Sequence, residues 1–317
     1  MITLIGAGAW GRNLFRNLNE LGVLHSVVDP SDAARKLAED AGVQHFAEPH
    51  NALADPAVKG VVIATPAPTH RDVALQAIEV GKDVYVEKPI ALTLSDAREM
   101  AQAASEAGVL MMVGHLLQYH PCYVALRKIV QGGEIGDPRY IVSTRFSLGR
   151  IRSNENVVWS FSPHDISMVL GLVDSEVKDV SSNGSDILQD GIADIGHVDI
   201  LFGNGVRAEV RSSWLHPFKE QRLIVVGSKG MAVFDDQLPW EHKVAVYDHE
   251  IAHTSDGYTA KKADPRYIDV PNGEPLKAEM QHFIDRIADR ERPLTDAEEA
   301  IAVLDVLQRS NEVMETR

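Results

Sequence analysis

A short glycine-rich segment near the start of the chain constrains its fold more than any other feature. The sequence GAGAWG occupies residues 6–11, between the apolar run Ile2–Ile5 and the amphipathic stretch Trp10–Leu21. Glycines at this spacing permit a tight strand-to-helix turn and let the backbone approach a pyrophosphate bound at the helix N-terminus. The segment predicts a dinucleotide-binding unit whose cofactor contacts are Gly6, Gly8, Ala9, Trp10 and Gly11.

An acidic residue follows the next predicted strand. Asp29 comes 18 residues after Gly11, where a carboxylate can accept hydrogen bonds from the adenosine ribose hydroxyls. Because the same charge would repel the 2′-phosphate of NADP, Asp29 favours NAD as the cofactor. In the alternative interpretation the glycines only form a turn and Asp29 only caps the strand before Pro30. The strand–helix–strand context favours the cofactor site.

The first part of the chain alternates apolar runs with amphipathic stretches. The predicted strands are Ile2–Ile5, His25–Val28, Gly60–Ala64, Asp83–Val86 and Leu110–Val113. The predicted helices between them are Trp10–Leu21, Ser31–Ala41, Thr69–Val80 and Leu94–Ala107. This alternation is typical of an α/β fold with a doubly wound parallel sheet. We expect a Rossmann-type NAD-binding domain over residues 1–119.

The pattern changes after residue 120. A predicted helix at Tyr123–Gln131 is followed by alternating segments at Arg139–Leu148, Val177–Ser185, Ala193–Phe202, Val206–Trp214, Arg222–Val226 and Lys243–Asp248. Alternation without intervening helices predicts a large, mainly antiparallel sheet with one open face. Two predicted helices, Pro275–Arg290 and Asp296–Val313, end the chain. Residues 120–317 are therefore expected to form an α+β domain for substrate binding and oligomerisation.

Composition narrows the classes of partner. The 317 residues include 31 Lys and Arg and 46 Asp and Glu, a formal net charge of −15. This acidic balance argues against nucleic-acid binding, which relies on basic surfaces. The 13 histidines show no HExxH spacing and Cys122 is the only cysteine, so no metal site and no disulfide is expected.

The same features indicate a compartment. No apolar run approaches the ~18 residues of a membrane span, and Met1 leads directly into a predicted strand. A lone cysteine suits a reducing environment. We expect a cytoplasmic protein without membrane insertion.

A proline-rich loop follows the strand Gly60–Ala64. The sequence ATPAPTH at residues 64–70 lies at the carboxyl edge of the predicted sheet, where such folds bind ligands. It can line the nicotinamide ribose, or it can serve only as a rigid connection to the next helix. The expected cofactor contacts in this loop are Thr65, Pro66, Pro68 and His70.

Four motifs in order resemble a known family. These are GAGAWG, ATPAPTH, EKP at residues 87–89 and VGH at residues 113–115. Together they resemble the glucose-fructose oxidoreductase, inositol dehydrogenase and MocA (Gfo/Idh/MocA) family over nearly the whole chain. The resemblance implies that Glu87 and Lys88 lie at the cofactor, with Lys88 beside the nicotinamide and the substrate hydroxyl.

The resemblance also covers the second domain. WSFSPHDIS at residues 159–167 matches the family segment whose histidine faces the nicotinamide, here His164. Many members carry aspartate four residues before this histidine, whereas this chain has Ser160. The family likeness further implies that subunits pair through the open sheet face, giving a homodimer or homotetramer.

Three segments resemble a narrower bacterial branch of the family. They are GHLLQYHP at 114–121, NVVWSFSPHDIS at 156–167 and EPLKAEMQHF at 274–283. The branch oxidises nucleotide-linked N-acetyl sugars at C3, so the resemblance implies UDP-N-acetylglucosamine as substrate. A PLP-dependent aminotransferase would then use the 3-keto product for a 3-amino sugar of the lipid A type.

The residues suggest roles in alcohol oxidation. Pro163 at the first helical position would place His164 in the first helical turn, where the helix dipole favours a neutral, proton-accepting ring. Lys88 could stabilise the developing alkoxide. Alternatively, His164 packs in a cap and Lys88 pairs with Glu87. Ser162 and Asp165 are expected to form a capping box, which makes Asp165 structural or orienting.

A diphosphate needs cationic groups. Arg150 and Arg152 lie in the loop after the strand that precedes His164, and we expect them to form a diphosphate clamp or, alternatively, to be solvated. Arg145, on that strand, is a further candidate substrate contact. His115 and Tyr119 are expected on the sugar or the nicotinamide side of the site, and Trp159 and Asp165 complete the candidate substrate contacts. Two other functions stay open: a dehydrogenase of a free sugar or a cyclitol such as inositol, and a non-catalytic NAD-binding sensor.

Overall fold

The structure, a computed structural model, describes residues 1–149 and 151–315, which form two compact units. The first unit contains residues 1–119 and 274–305, and the second contains residues 120–273 and those from Val306 onward. Among the described residues, no helix combines the length and the apolar character that crossing a membrane requires.

A six-stranded parallel sheet forms the centre of the first unit. Its strands are β1 (Ile2–Ile5), β2 (Leu24–Val28), β3 (Gln44–Phe46), β4 (Gly60–Ile63), β5 (Asp83–Glu87) and β6 (Met111–Gly114). They lie in the order β3-β2-β1-β4-β5-β6, and every pair is parallel. Every residue of β1, β4 and β5 is buried, as expected for strands covered on both faces. This order confirms the predicted doubly wound fold.

Helices connect the strands of this sheet. They are α1 (Gly11–Glu20), α2 (Asp32–Ala41), α3 (Pro49–Leu53), α4 (His70–Glu79) and α5 (Leu94–Ala107). The sequence analysis missed β3 and α3. At the start of α5, Thr93 Oγ1 accepts the backbone N–H of Asp96 at 3.1 Å, which satisfies one of the free donors of that helix end.

The second unit contains a large open-faced sheet. Its helices are α6 (Pro121–Gln131), α7 (Val157–Phe161) and α8 (Pro163–Leu170). Its strands are β7 (Pro138–Leu148), β8 (Val177–Ser185), β9 (Ile195–Phe202), β10 (Arg207–Ser213), β11 (Leu215–Gly227), β12 (Met231–Asp235), β13 (Val244–Tyr247), β14 (Glu250–Thr254), β15 (Gly257–Lys261) and β16 (Arg266–Tyr267). Eight of them lie in the order β16-β13-β12-β11-β7-β10-β9-β8, and β14 and β15 form a separate hairpin.

The predicted, mainly antiparallel character of this sheet is confirmed with one exception. β7 and β10 are parallel neighbours, whereas the other pairs are antiparallel. Burial alternates along β9, so that Val198, Ile200 and Phe202 point to the face covered by helices. α7 and α8 pack on this covered face, against β7, β9 and β10.

The two C-terminal helices are α9 (Pro275–Asp289) and α10 (Ala297–Glu315). Residues 274–305, which the sequence analysis placed with the second domain, belong to the first unit. The reason is packing: Leu276, Met280 and Phe283 of α9 are buried in the same core cluster as Leu4 and Tyr85. The first unit is therefore completed by a distant part of the chain.

Candidate active site

The glycine-rich loop between β1 and α1 requires its glycines for different reasons. Gly6 has a φ of +94°, and a Cβ there would lie 2.7 Å from the carbonyl carbon of Ala64. A Cβ on Gly11 would lie 2.1 Å from the carbonyl oxygen of Gly6. A Cβ on Gly8, in contrast, would meet nothing within 4 Å. The open space beside Gly8 fits the close approach of a cofactor pyrophosphate.

Asp29, just after β2, is bonded to the same loop. Its Oδ2 accepts the backbone N–H of Ala7 at 2.8 Å, and its Oδ1 accepts the N–H and the hydroxyl of Ser31 at 2.9 and 2.6 Å. Burial alone would raise the pKa of Asp29, but the hydrogen bonds from Ser31 and Ala7 hold it below its usual value. A carboxylate has about four acceptor positions, so Asp29 can still accept a ribose hydroxyl while it orders the loop.

Replacing Asp29 with alanine should weaken NAD binding about tenfold, the usual effect of losing a hydrogen bond to a charged group. The preference for NAD over NADP should also fall, because the charge that repels a 2′-phosphate is gone. Calorimetric titration with both cofactors tests this. Asp32→Ala removes an exposed carboxylate at the start of α2 and serves as the control. Unchanged cofactor preference in Asp29→Ala would contradict the assignment.

The loop after β4 is held by a buried histidine. Thr65 is half-buried at this edge, and Pro66 and Pro68 are exposed. His70 is 1% exposed; its Nε2 lies 2.9 Å from the carbonyl oxygen of Thr65 and its Nδ1 lies 2.8 Å from that of Pro89. Burial lowers the pKa of His70. His70 therefore ties the loop to the cis Lys88–Pro89 turn, and its cofactor contact stays a prediction.

A buried carboxylate at the end of β5 makes contacts that the sequence analysis missed. Glu87 Oε1 accepts the indole N–H of Trp10 at 2.5 Å and the Tyr85 hydroxyl at 3.1 Å, and its Oε2 accepts the backbone N–H of Lys88 at 3.3 Å. Burial raises the pKa of Glu87, while these donors and the Lys88 charge oppose the shift. Glu87 thus links the glycine-rich loop to half-buried Lys88.

Two candidate substrate residues after β6 have partners inside the first unit. His115 is 2% exposed, and its Nδ1 lies 2.6 Å from Glu299 Oε2. The hydroxyl of Tyr119, which is also buried, lies 3.0 Å from Thr295 Oγ1. Tyr119 therefore has a structural contact in the first unit that the sequence analysis did not foresee.

His164 lies in the first turn of α8, as predicted, and it is half-buried. The capping box predicted at this turn is wrong. Ser162 has helical dihedral angles and no capping hydrogen bond, because α7 runs directly into α8; its hydroxyl lies 2.5 Å from Ser212 Oγ. Asp165 is turned away from the helix end and accepts the Ser143 hydroxyl at 2.6 Å.

Asp165 also binds Arg145, a candidate substrate residue. Its carboxylate, 1% exposed, forms an ion pair with the Arg145 Nε. This pairing offsets the charge that Arg145 could offer to a phosphate and fixes α8 to β7. Arg152 is different: its Nε lies 3.5 Å from Glu155 Oε1 and has no hydrogen-bond partner among the described residues. Trp159 is half-buried in α7, and Arg150 lies outside the described residues.

One side-chain group in the described part of the chain has the composition of a metal site. His197, Asp199 and Glu209 place potential ligand atoms within 4.8 Å of one another on β9 and β10. Glu209 already accepts hydrogen bonds from Tyr140 and Arg211, and it lies 3.4 Å from His197 Nε2. These contacts account for the group as an ion-pair network on the sheet.

Comparison with protein families identifies both units. The family described as "Oxidoreductase family, NAD-binding Rossmann fold" matches residues 1–115, and the GFO/IDH/MocA C-terminal domain matches residues 123–233. The chain belongs to the Gfo/Idh/MocA oxidoreductase family. Its cofactor is NAD, which fits the open space beside Gly8 and the Asp29 carboxylate.

Curated relatives within the Gfo/Idh/MocA family include inositol dehydrogenases. The chain is 29% identical to the scyllo-inositol 2-dehydrogenase (NAD(+)) of Bacillus subtilis over 221 residues, 66% of this chain and 64% of that protein. The match therefore spans less than two thirds of that relative. It is 27% identical to the myo-inositol 2-dehydrogenase of Thermotoga maritima over 250 residues, 74% of this chain and 75% of that protein.

Among solved structures, the UDP-N-acetylglucosamine 3-dehydrogenase of Acidithiobacillus ferrooxidans is similar to this chain. The TM-score is 0.86 at 24% identity, covering 99% of this chain and 97% of that one. At this identity the likeness establishes the shared fold.

Proposed function

We propose that this Gfo/Idh/MocA protein uses NAD to oxidise the C3 hydroxyl of UDP-N-acetylglucosamine to a 3-keto sugar. Three segments that resemble the nucleotide-sugar branch support the proposal, at residues 114–121, 156–167 and 274–283. The full-length fold likeness to a UDP-N-acetylglucosamine 3-dehydrogenase agrees with it.

The environment of Arg152 is the observation that supports a nucleotide-linked substrate. Its side chain is partly exposed, while its Nε is enclosed, lies 3.5 Å from Glu155 Oε1 and has no hydrogen-bond partner among the described residues. A planar guanidinium suits a diphosphate, and an uncharged cyclitol offers it no anion. Arg145 is held by Asp165, so Arg152 is the better candidate for the phosphate contact.

The proposed reaction assigns two residues to the hydroxyl. When bound, the nicotinamide accepts the hydride from the substrate carbon. His164 would accept the hydroxyl proton as general base. Lys88, held at the end of β5 by the buried Glu87 and the Pro89 turn, would donate a hydrogen bond to the oxygen and stabilise its developing negative charge. Ser160 replaces the aspartate of many relatives, so His164 would act without that aspartate.

A second candidate function is the oxidation of a cyclitol. The curated inositol dehydrogenases, at 29% and 27% identity, favour it. The two candidates share the NAD site, Lys88 and His164, and they differ in the need for an anion contact at Arg152. A third possibility, a non-catalytic NAD-binding sensor, is distinguished from both by the substrate panel described below.

The proposal extends to partners and location. The 3-keto product would be used by a PLP-dependent aminotransferase in a pathway to a 3-amino sugar, in the cytoplasm. One face of the sheet in the second unit is covered by helices, and half-exposed residues such as Val142 and Ile224 line the other. We propose that two copies pair through this open face, as a homodimer or within a homotetramer.

A substrate panel tests the function directly. NADH absorbance is followed with UDP-N-acetylglucosamine, UDP-glucose, free N-acetylglucosamine and myo-inositol, with a 3-keto-sugar aminotransferase present to remove the product. We expect NADH only with the UDP-linked N-acetyl sugar. Activity with myo-inositol alone would replace the proposal by its alternative. No activity in a protein that binds NAD by calorimetry would favour the sensor.

Replacing Arg152 with glutamine should raise the KM for UDP-N-acetylglucosamine about tenfold, because a hydrogen bond to a charged group contributes roughly 1.5–3 kcal/mol. The affinity for NAD should not change. Arg207→Gln, which removes an exposed arginine from β10, is the control. If Arg152→Gln and Arg207→Gln show the same KM, the phosphate contact lies elsewhere.

A further inference from the structure

Helix α9 places a carboxyl group in the core of the first unit. Glu279 is 0% exposed, and in the described part of the chain its carboxylate oxygens have no donor of their own, because the neighbouring Tyr85 hydroxyl donates to Glu87. An ionised carboxylate without donors in such surroundings is strongly disfavoured. Burial, reinforced by the charges of Glu87 and Glu299, raises the pKa of Glu279 well above its usual value. Burial and the neighbouring carboxyl groups therefore favour the protonated form of Glu279.

Glu87, on the neighbouring β5, has the opposite environment. Its two oxygens accept three hydrogen bonds, from the Trp10 indole, the Tyr85 hydroxyl and the Lys88 backbone. Donors of this kind favour the ionised form of a carboxyl group. When two nearby carboxyl groups cannot both ionise, the one with more donors takes the charge. In this pair the charge falls on Glu87 and the proton stays on Glu279.

Tyr85 connects the two carboxyl groups. Its hydroxyl donates to Glu87 Oε1 at 3.1 Å and lies next to the Glu279 carboxyl. A tyrosine oxygen that donates one hydrogen bond can also accept one, and protonated Glu279 is a donor. Tyr85 therefore stands between Glu279 and Glu87, and Glu87 in turn binds Trp10 of the glycine-rich loop.

The packing around this chain leaves little freedom. Gly114 of β6 lies so close that an added Cβ would be 2.5 Å from the Tyr85 hydroxyl oxygen and 2.9 Å from Glu87 Oε2. On the other side, the ring of Tyr85 packs on Phe283 of α9, with 5.9 Å between centroids. A change in charge at Glu279 therefore cannot be absorbed by a large movement of Tyr85 or Glu87.

We propose that Glu279 is a positioning residue for NAD binding: it holds the proton of a buried acid pair, keeps Glu87 ionised through Tyr85, and thereby fixes Trp10 and the start of the Lys88–Pro89 turn. Glu279 does not touch the cofactor in this account. The inference concerns the NAD site and does not depend on which alcohol is oxidised.

The proposal predicts a direction with pH. As pH rises, ionised Glu279 would repel Glu87 and weaken the hold on the glycine-rich loop, so NAD binding weakens on the alkaline side. The other titratable groups facing this cluster are Tyr85, Lys88, Tyr119, His115 and Glu299. All of these residues are kept in a variant at position 279, so a difference between the wild-type and variant profiles reports the lost Glu279 charge together with its effect on Tyr85 and Tyr119.

Two substitutions of Glu279 distinguish its role as a protonated hydrogen-bond donor from its role in packing. Glu279→Gln keeps the shape and can still donate to Tyr85, but it cannot ionise. Glu279→Leu removes the donor. Asp285→Asn neutralises an exposed carboxyl on the same helix and is the control. NAD affinity is measured by calorimetry across neutral and alkaline pH, with the thermal midpoint and the infrared spectrum of each variant.

We expect a protonated-carboxyl band in wild type at neutral pH that is absent from Glu279→Gln. NAD affinity should be close to wild type in Glu279→Gln and about tenfold weaker in Glu279→Leu, and its alkaline decline should be lost in Glu279→Gln. Because the raised pKa destabilises the fold as pH rises above about 4.5, the thermal midpoint of Glu279→Gln should exceed that of wild type increasingly with pH.

Absence of the band, or wild-type NAD affinity in Glu279→Leu, would overturn the proposal. If Glu279→Leu does not fold, the comparison of wild type with Glu279→Gln decides. If the NAD affinity of wild type and of Glu279→Gln declines in parallel at alkaline pH, the positioning role is overturned. If the decline is absent from Glu279→Gln, the positioning role is supported.

Discussion

Replacing Gly8 with alanine should reduce NAD affinity at least a hundredfold and leave the fold intact. The added Cβ meets nothing within 4 Å in the protein, so no native contact is strained. The methyl group would occupy the space through which a pyrophosphate approaches the backbone at the start of α1. A hundredfold loss corresponds to about 2.8 kcal/mol, a moderate cost for one steric conflict in a preformed site.

Gly11→Ala is the matched comparison. It adds the same methyl group three residues later, 2.1 Å from the Gly6 carbonyl oxygen. This backbone atom cannot move without opening the turn between β1 and α1. Gly11→Ala should therefore lose thermal stability as well as NAD binding, by several kcal/mol in the free energy of unfolding.

Calorimetric NAD titration and denaturant unfolding of both variants check this pair. The expected pattern is lost binding with normal stability for Gly8→Ala and loss of both for Gly11→Ala. Normal NAD affinity in Gly8→Ala would place the pyrophosphate elsewhere. A destabilised Gly8→Ala would mean that the space beside Gly8 is needed by the protein itself.

Much of the first unit could be predicted because its strands carry a strong local signal. β1, β4 and β5 are apolar and fully buried, and each is followed by a turn or helix signal. β3 was missed because Gln44–Phe46 has only three residues and none of them is fully buried. The parallel pairing of β7 with β10 was also missed, since strand partners far apart in sequence leave no local pattern.

Long-range packing explains the other differences. The helical pattern of α9 was recognised, but whether it packs on one unit or the other depends on a core surface that the sequence does not reveal. The same limit applies to Glu279, which looks like any glutamate on an amphipathic helix. Its environment arises only where α9 meets Tyr85 and Glu87 of β5.

Local rules also failed where tertiary contacts compete with them. Ser162 and Asp165 have the spacing of a capping box, yet Ser162 bonds Ser212 and Asp165 bonds Ser143 and Arg145. The preceding helix α7 removes the need for a cap, because it supplies backbone acceptors such as the Val158 carbonyl, which accepts the Ser162 N–H at 2.9 Å. The Asp165 carboxylate is held instead in the buried ion pair with Arg145.

Replacing His164 with asparagine should lower kcat by about 10²–10⁴-fold, the usual contribution of a general base. Asparagine keeps polarity at the first turn of α8 but accepts no proton at neutral pH. If His164 is the base, the acidic limb of the kcat/KM profile should also disappear. NAD affinity should be unchanged, because the glycine-rich loop and Asp29 belong to the other unit.

The control is His253→Asn, which removes an exposed histidine from the hairpin strand β14 in the same unit. It should retain wild-type kcat and pH profile. An acidic limb that persists in His164→Asn would assign the proton transfer to another group.

A double variant tests whether His164 and Lys88 act on the same hydroxyl. Lys88→Met removes the charge that would stabilise the alkoxide while keeping an apolar stem of similar length. Residues that act as a unit in one transition state are strongly non-additive. The variant with both substitutions should therefore be little slower than the slower single variant. If the fold-losses in kcat of the two single variants multiply in the double variant, the two side chains contribute independently. Lys88 would then act on binding or on cofactor position, while His164 acts on the proton.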